Sequence, residues 1–535
     1  MAKNTDDTLP ASQSVFEARS LESIYTEICD LYERYPQPWV LGYSGGKDST
    51  TTLQLVWNAL ATLPAARRTK PVFVIATDTK VETPVIVETI NSTMNQIETA
   101  ARAQGMPFET HRLSPTLNDS FWVNLLGRGY PAPTTKFRWC TERLKINPSN
   151  RFIQEKVGEY GEVIMLLGIR SDESSTRGQL MNTYRVHDHF LMRHAYLPGA
   201  YVYAPLAAWT TDDVWTYLLQ APSPWGGDNR DLAALYRSAS QGECPLVIDT
   251  TTPSCGTSRF GCWVCTVASR DSSMEAMVDS GEEWLEPLLE FRDWLMTTTD
   301  PARKREFRDI QGRDGRLVLS KDGSKAVERT YKLEVSRQML AKVLQAQKDV
   351  KAANPNFTSN LIDPEELLEI RRFWRTERGD WEDTVPQIYE RVMGTEAARA
   401  FEWPRDDNDA FDGGQKEILA NICAEYDVPL TLMTQLLEVE RQSLGMARRA
   451  GVHKGIAKSL NRNWSDEAQF IEQARIERES GAGGLFDYFN EQLGDEEATV
   501  NAMEEGLEAG ELLEENEVAP GAGALALKRE GSVGR

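Results

Sequence analysis

The chain has 535 residues, 41% of them hydrophobic, and seven cysteines; it is too long for one compact core and too poor in cysteine for a disulfide scaffold. Its net charge is −22, and Gly481 to Arg535 holds 13 acidic against 3 basic residues, which excludes a protein that grips DNA unaided through clustered lysine and arginine. No run of about eighteen uncharged apolar residues occurs, and Met1 to Ser20 is polar, so neither a membrane span nor a secretory signal is expected, and the expected location is cytoplasmic.

In chain order, Leu21 to Tyr35 has the pattern of an amphipathic helix, ended by Pro36 and Pro38. Trp39 to Tyr43 is a short apolar strand, Ser44 to Ser49 a glycine-containing turn, and Thr50 to Leu63 a helix. Strands are then expected at Val72–Ala76, Phe108–Leu113 and Val163–Gly168, with helices at Pro84–Ala103 and Asn150–Glu159 between them. Strands alternating with helices predict an α/β fold, a doubly wound parallel sheet with ligands at the carboxyl ends of its strands. After about Gln220 the pattern changes. Cys244 to Cys265 is expected to be irregular, and from about Met274 the chain reads as mainly helical, with a small hairpin at Gly312–Lys325. Phe291 to Lys342 carries 13 basic and 8 acidic residues; a solvated helical surface and a nucleic-acid-facing patch are both open readings. Beyond Gly481, the Gly, Ala and Glu content predicts disorder.

Ser44-Gly45-Gly46-Lys47-Asp48-Ser49 follows a strand and opens a helix. Two glycines let backbone approach phosphate oxygens, the next amides point into the same space, and the helix dipole adds partial positive charge. Lys47 adds a full charge, and the Ser44 and Ser49 hydroxyls can donate. This is an anion cradle, not a Walker A loop, whose spacing differs.

Four of the seven cysteines lie within Cys244–Cys265, with ten, six and two residues between successive members. Four thiolates in one short stretch suit a metal or an iron–sulfur cluster, and the Cys262-Trp263-Val264-Cys265 knuckle is equally at home around zinc. Cys140, in Arg138-Trp139-Cys140-Thr141-Glu142-Arg143-Leu144-Lys145, is a fifth candidate. Arg138, Arg143 and Lys145 are expected to lower its pKa. Cys29 and Cys423 read as inert.

Ser44 to Ser49 resembles the pyrophosphate loop of N-type ATP pyrophosphatases. Three further segments resemble the phosphoadenylylsulfate reductase branch of that family: Asp78 in Thr77-Asp78-Thr79, Gly168-Ile169-Arg170 with Glu173-Ser174 and Arg177, and Pro205-Leu206 with Trp209-Thr210 and Asp212 to Trp215. The resemblance implies ATP cleavage between the α and β phosphates, with Mg2+ balancing the leaving pyrophosphate. Lys47 and Asp48 are then catalytic, and Ser44, Gly45, Gly46, Ser49, Asp78, Lys145, Gly168, Arg170 and Arg177 bind the nucleotide. On chemistry alone, Arg170 and Arg177 suit bidentate phosphate clamps, while a surface ion pair with Asp172 or Glu173 is the alternative. Asp78 suits a ribose or adenine donor, and a helix N-cap is its alternative. Thr210 or Thr211 reads as an N-cap, with Trp209 and Trp215 in the core.

Phe121 to Pro131, Phe137 to Thr141, Arg259 to Cys265 and Ile370 to Trp374 are similar to the DndC family of bacterial DNA phosphorothioation, from about residue 15 to 475. That resemblance favours a [4Fe-4S] cluster on Cys244, Cys255, Cys262 and Cys265, leaving Cys140 as the thiol that handles sulfur. It implies a cysteine desulfurase as sulfur donor, other phosphorothioation proteins as partners, and DNA reached through a multiprotein complex. The expected organisation is an ATP pyrophosphatase domain at 15–220, a cysteine-rich iron–sulfur segment at 221–272, a mainly helical region at 273–480 and an acidic tail at 481–535. A phosphoadenylylsulfate reductase, a tRNA thiolase and a non-catalytic scaffold of a DNA-modification complex are the competing readings.

Overall fold

The computed structural model describes residues 14–171, 191–194, 197–239, 261–313, 315–320, 322–404, 411–443, 450–464 and 466–479. Arg177, Glu173, Ser174, Cys244, Cys255 and the acidic tail lie outside them.

The sheet is built from β1 (Trp39–Gly42), β2 (Val72–Thr77), β3 (Phe108–Leu113), β4 (Val163–Leu166), β5 (Leu191–Arg193) and β6 (Ala200–Tyr203). Its order is β3-β2-β1-β4-β6-β5. All neighbours are parallel except β5, which runs antiparallel to β6 at the edge. Helices cover it: α1 (Leu21–Arg34), α2 (Lys47–Thr62), α3 (Pro84–Gln104) and α4 (Asn147–Tyr160). The three central strands are apolar on both faces, as strands covered on both sides must be; Val40, Leu41, Val72, Val74, Val163 and Ile164 are buried. β3 carries exposed Glu109 and Arg112, in keeping with its place at the edge. β1 leads outward to β2 and β3, whereas β4 leads the other way to β6. The crevice beyond the carboxyl ends of β1 and β4 is therefore the topological switch point, where open α/β sheets place ligands.

Three elements were not legible beforehand. β5 and β6 form the added edge, and a helix runs from Asn229 to Ala239 beyond α5 (Thr211–Gln220). α5 starts as expected: Thr210 and Asp213 form a reciprocal capping box, and Trp209 and Trp215 are buried.

The helical region comprises α6 (Asn229–Ala239), α7 (Ser272–Asp279), α8 (Glu286–Thr297), α9 (Leu333–Ala353), α10 (Pro364–Glu377), α11 (Thr384–Met393), α12 (Gly413–Glu425), α13 (Leu430–Gln442) and α14 (Ala450–Leu460). It shares a core with the segment between β3 and β4. Phe121, Trp122 and Trp139 lie in one apolar cluster with Trp263, Phe291, Leu340 and Trp374. Trp122 donates its indole N–H to the Leu361 carbonyl at 2.6 Å, and Trp374 donates to the Leu126 carbonyl at 2.7 Å. Both bonds give buried indoles a partner. Val123–Gly127 and Glu142–Ile146 are single wide turns of π-helix, a form common at functional sites.

The chain divides into two compact units: residues up to Asp309 with Glu328–Leu460, and Ile310–Val327 with residues from Asn461 on. In the second unit Leu317 and Leu319 pack on Phe470 and Ala474 of α15 (Glu467–Glu479). The expected hairpin is present as a bridge between Leu319 and Ala326. The basic stretch is only in part a solvated surface, because Arg292, Arg308 and Arg329 are buried.

Candidate functional site

Gly45 sits at φ +72°, the left-handed region, and a Cβ there would come within 2.9 Å of Ile90 on α3. The turn after β1 thus needs glycine for conformation and for space. Gly46 is the N-cap of α2 and offers no side chain to the first amides. Ser49 turns its hydroxyl back onto the loop, donating to the Gly46 carbonyl at 3.0 Å and accepting from the Ser44 amide at 3.2 Å. The loop is pinned from within, and no N-cap side chain takes the first amides of α2.

The Lys47 ammonium is 2.8 Å from Asp48 Oδ2, and Arg170 Nε–H donates to Asp48 Oδ1 at 2.8 Å. One carboxylate therefore joins the cation of the cradle to the arginine after β4. Arg170 is 1% exposed, so its guanidinium is buried at the switch-point crevice; Asp172 and Glu173 lie outside the described residues. Gly168 is there for packing. A Cβ on it would lie 2.7 Å from the Asp48 carbonyl oxygen and 2.9 Å from Thr52 Oγ1. Without a side chain, the β4 end can lie against the first turn of α2.

Asp78 caps no helix. Its Oδ1 accepts from the Lys80 amide at 2.8 Å, closing a turn in which Lys80 takes φ +65°. The next residue, Thr79, is fully buried, and its hydroxyl lies 3.4 Å from the Cys262 sulfur. Gly261 to Trp263 runs alongside Val81 to Thr83: the Thr83 hydroxyl donates to the Gly261 carbonyl at 3.2 Å, and the Trp263 amide to the Val81 carbonyl at 3.0 Å. The cysteine knuckle is thereby fixed to the end of β2. Behind it, buried Arg292 of α8 donates to the Cys265 carbonyl at 3.0 Å and the Ser269 carbonyl at 3.2 Å, and also to the Ala268 carbonyl. Asp78 and Thr79 thus give adjacent chain positions to the expected nucleoside side and to the sulfur side.

Cys140 faces this knuckle. Burial, then the neighbouring sulfurs of Cys262 and Cys265, push its pKa up to about 12. Burial likewise raises Cys262. The expected lowering at Cys140 is corrected here. Arg143 is spent on Asp119 at 3.1 Å and the Tyr130 hydroxyl at 2.8 Å. Arg138 is exposed, and Lys145 opposes the rise without overcoming it. Burial pushes the Lys145 ammonium down, but the Cys262 sulfur and Glu82, which it meets at 3.1 Å, leave it raised.

Sulfurs that resist ionisation beside one another are relieved by a bound cation, so the donor chemistry suits a metal. The described residues alone do not complete such a site: among them no three His, Cys, Asp or Glu side chains form a metal cage. Cys244 and Cys255, the other two expected ligands, lie outside the described residues. Among those residues, no helix is long and apolar enough to cross a membrane.

Thr79, Glu82 and Arg292 are site residues that sequence reasoning passed over. Thr79 stood next to a singled-out aspartate; Glu82 and Arg292 carried no local signal.

A parallel α/β sheet with a glycine turn after its first strand, beside the switch point, is the architecture of a phosphoadenosine phosphosulfate reductase-like domain. Residues 38–268, less than half of the chain, match the phosphoadenosine phosphosulfate reductase domain, and the parallel α/β sheet is of that kind. An uncharacterized protein of Methanocaldococcus jannaschii is 29% identical over 198 residues, 37% of this chain and 35% of that protein. An uncharacterized 37.8 kDa protein of Escherichia phage 186 is 25% identical over 166 residues, 30% of this chain and 38% of that protein. The chain thus spans little more than a third of the length of these curated relatives. Among solved structures, the U34-tRNA thiolase NcsA of Methanococcus maripaludis with its [4Fe-4S] cluster aligns over 42% of this chain and 74% of that one, at 12% identity and a TM-score of 0.24.

Proposed function

We propose that this chain is an ATP-dependent sulfurtransferase of DNA phosphorothioation, cleaving ATP to AMP and pyrophosphate so that sulfur can replace a non-bridging backbone oxygen. One observation carries the reading: the anion cradle and the cysteine knuckle are held by the same short piece of chain. Ile90 of α3 walls Gly45, and Thr83, at the head of α3, holds Gly261 beside Cys262. They are seven positions apart along the helix, about 10 Å.

In this reading Lys47 and the first amides of α2 hold the β and γ phosphates as leaving group, with Mg2+ sharing their charge. Asp48 keeps Lys47 and Arg170 in place beside them. The α phosphorus then faces the crevice, where a DNA phosphate oxygen attacks and becomes adenylylated. A phosphodiester oxygen is a poor leaving group until it departs as part of AMP. Sulfur from a cysteine desulfurase is received at Cys140, next to Lys145, as a persulfide, the donor cysteine leaving as its thiolate; after the outer sulfur displaces AMP, a thiol reductant cleaves the remaining S–S bond. Cys262 and Cys265, together with Cys244 and Cys255, are the residues that would hold a [4Fe-4S] cluster, which would supply sulfur or electron transfer.

The DNA assignment rests on the resemblance of Phe121–Pro131 and Phe137–Thr141, and these segments build the aromatic wall behind Cys140. The Trp139 ring stacks between Phe121 and Tyr130, with centroids 5.4 and 5.2 Å away. At a net charge of −22, companion proteins are assigned the task of holding DNA.

The test is mass spectrometry of nuclease-digested DNA from cells expressing the chain with its companions. Phosphorothioate linkages are expected with the wild type and absent with Lys47→Ala and Cys140→Ser. Linkages that persist in both variants, or sulfur appearing in tRNA or sulfite instead, would overturn the assignment.

A further inference from the structure

Tyr236 belongs to α6, a helix that no sequence pattern tied to the phosphate site. Its hydroxyl nevertheless accepts the Lys47 backbone N–H at 3.2 Å. That amide is the first of α2, one of the donors an anion meets at a helix N-terminus. The Lys47 ammonium lies 5.8 Å from the centre of the same phenol ring. One side chain thus faces both the amide and the cation that define the cradle. Gly46 is fitted to it: a Cβ there would come within 3.2 Å of the Tyr236 hydroxyl.

The position of the phenol is not accidental packing of a loose side chain. Trp215 of α5 meets its ring edge-on at 5.2 Å. At the start of α6, buried Asn229 donates to Gln54 Oε1 of α2 at 3.0 Å and to the Leu218 carbonyl at 2.8 Å. The helix bearing Tyr236 is therefore bonded to the helix whose N-terminus Tyr236 covers.

We propose that Tyr236 is a placeholder for a phosphate oxygen. Its hydroxyl occupies the Lys47 amide while the cradle is empty, and a phosphate chain reaches that amide only by displacing it. The ligand class is an oxyanion of the pyrophosphate type, and the contact is autoinhibitory: it lowers affinity by about the worth of one hydrogen bond. No bond is made or broken beyond hydrogen bonds. The inference rests on the cradle reading above and adds to it the residue that sets phosphate affinity.

Calorimetric titration of magnesium pyrophosphate into the full chain tests it, comparing wild type, Tyr236→Phe and Lys47→Ala, with thermal unfolding to establish that each is folded. Wild type is expected to bind, Lys47→Ala to bind more weakly, and Tyr236→Phe to bind about three- to tenfold more tightly, the range set by one net hydrogen bond. Should wild type not bind, or Lys47→Ala bind as well as wild type, the cradle reading falls and takes the placeholder with it. Should those two behave as expected while Tyr236→Phe is unchanged, the hydroxyl does not compete. Weaker binding by Tyr236→Phe would make it a phosphate donor. Either result overturns the placeholder alone.

Discussion

Thr79 places its hydroxyl 3.4 Å from the Cys262 sulfur, directly after the aspartate expected to face a nucleoside. The end of β2 is thus shared by the two halves of the proposed chemistry. Thr79→Val keeps the shape and removes the hydroxyl. ATP affinity, read by titration, is expected to stay within about twofold of wild type, while sulfur incorporation falls by about tenfold, the order of one hydrogen bond to a buried group. An equal loss of both would mean that Thr79 serves the fold rather than the sulfur site.

Gly168 makes a second prediction. A methyl group there meets the Asp48 carbonyl oxygen at 2.7 Å and its carbon at 2.8 Å, both backbone and unable to swing aside. Gly168→Ala is expected to cost about 1–3 kcal/mol, as overpacking does, and to weaken ATP binding because α2 shifts with its first turn. Denaturant unfolding and ATP titration check the two effects; an alanine variant as stable and as tight as wild type would contradict the packing.

Much of this arrangement was legible in the sequence, for reasons that can be stated. Val72–Thr77 and Val163–Leu166 are continuous apolar runs, which only strands covered on both faces require. Ser44–Ser49 announced itself because glycines, lysine and a strand-to-helix junction coincide. β5 and β6 were missed: Ala200–Tyr203 is a short run, and it becomes a strand by pairing with β4, a long-range fact. The thiol chemistry was misread at Cys140 because charge along the chain was counted as charge in space. Arg138, Arg143 and Lys145 are neighbours in sequence, yet Arg143 is committed to Asp119 and Tyr130. Tyr236 was invisible, since nothing local distinguishes it from a core tyrosine on an amphipathic helix.

Glu366 supplies a pH prediction for the helical region. It is 4% exposed, it accepts from the Asp363 amide at 2.9 Å in the capping box of α10, and burial pushes its pKa up to about 7 from 4.5. The unfolded chain ionises this carboxyl first. Stability is therefore full below about pH 4.5, is lost as pH rises toward 7, and is level above that, by roughly 3 kcal/mol for a shift of this size. Glu366→Gln can still accept the Asp363 N–H. It is expected to unfold later than wild type at pH 8 and to flatten this part of the pH profile in chemical denaturation. An unchanged profile would contradict it.

The central claim is that the turn after β1 holds the two outer phosphates so that the inner phosphorus is attacked. Product analysis of ATP labelled at the α phosphate, incubated with the full chain, Mg2+, DNA, a cysteine desulfurase with cysteine, and the companion proteins, tests it most directly. The account predicts label in AMP with matching release of pyrophosphate, and a rate lowered about 10²–10³-fold by Lys47→Ala, the usual loss when one preorganised electrostatic contact is removed. Label in ADP, or an undiminished rate in the variant, would contradict it.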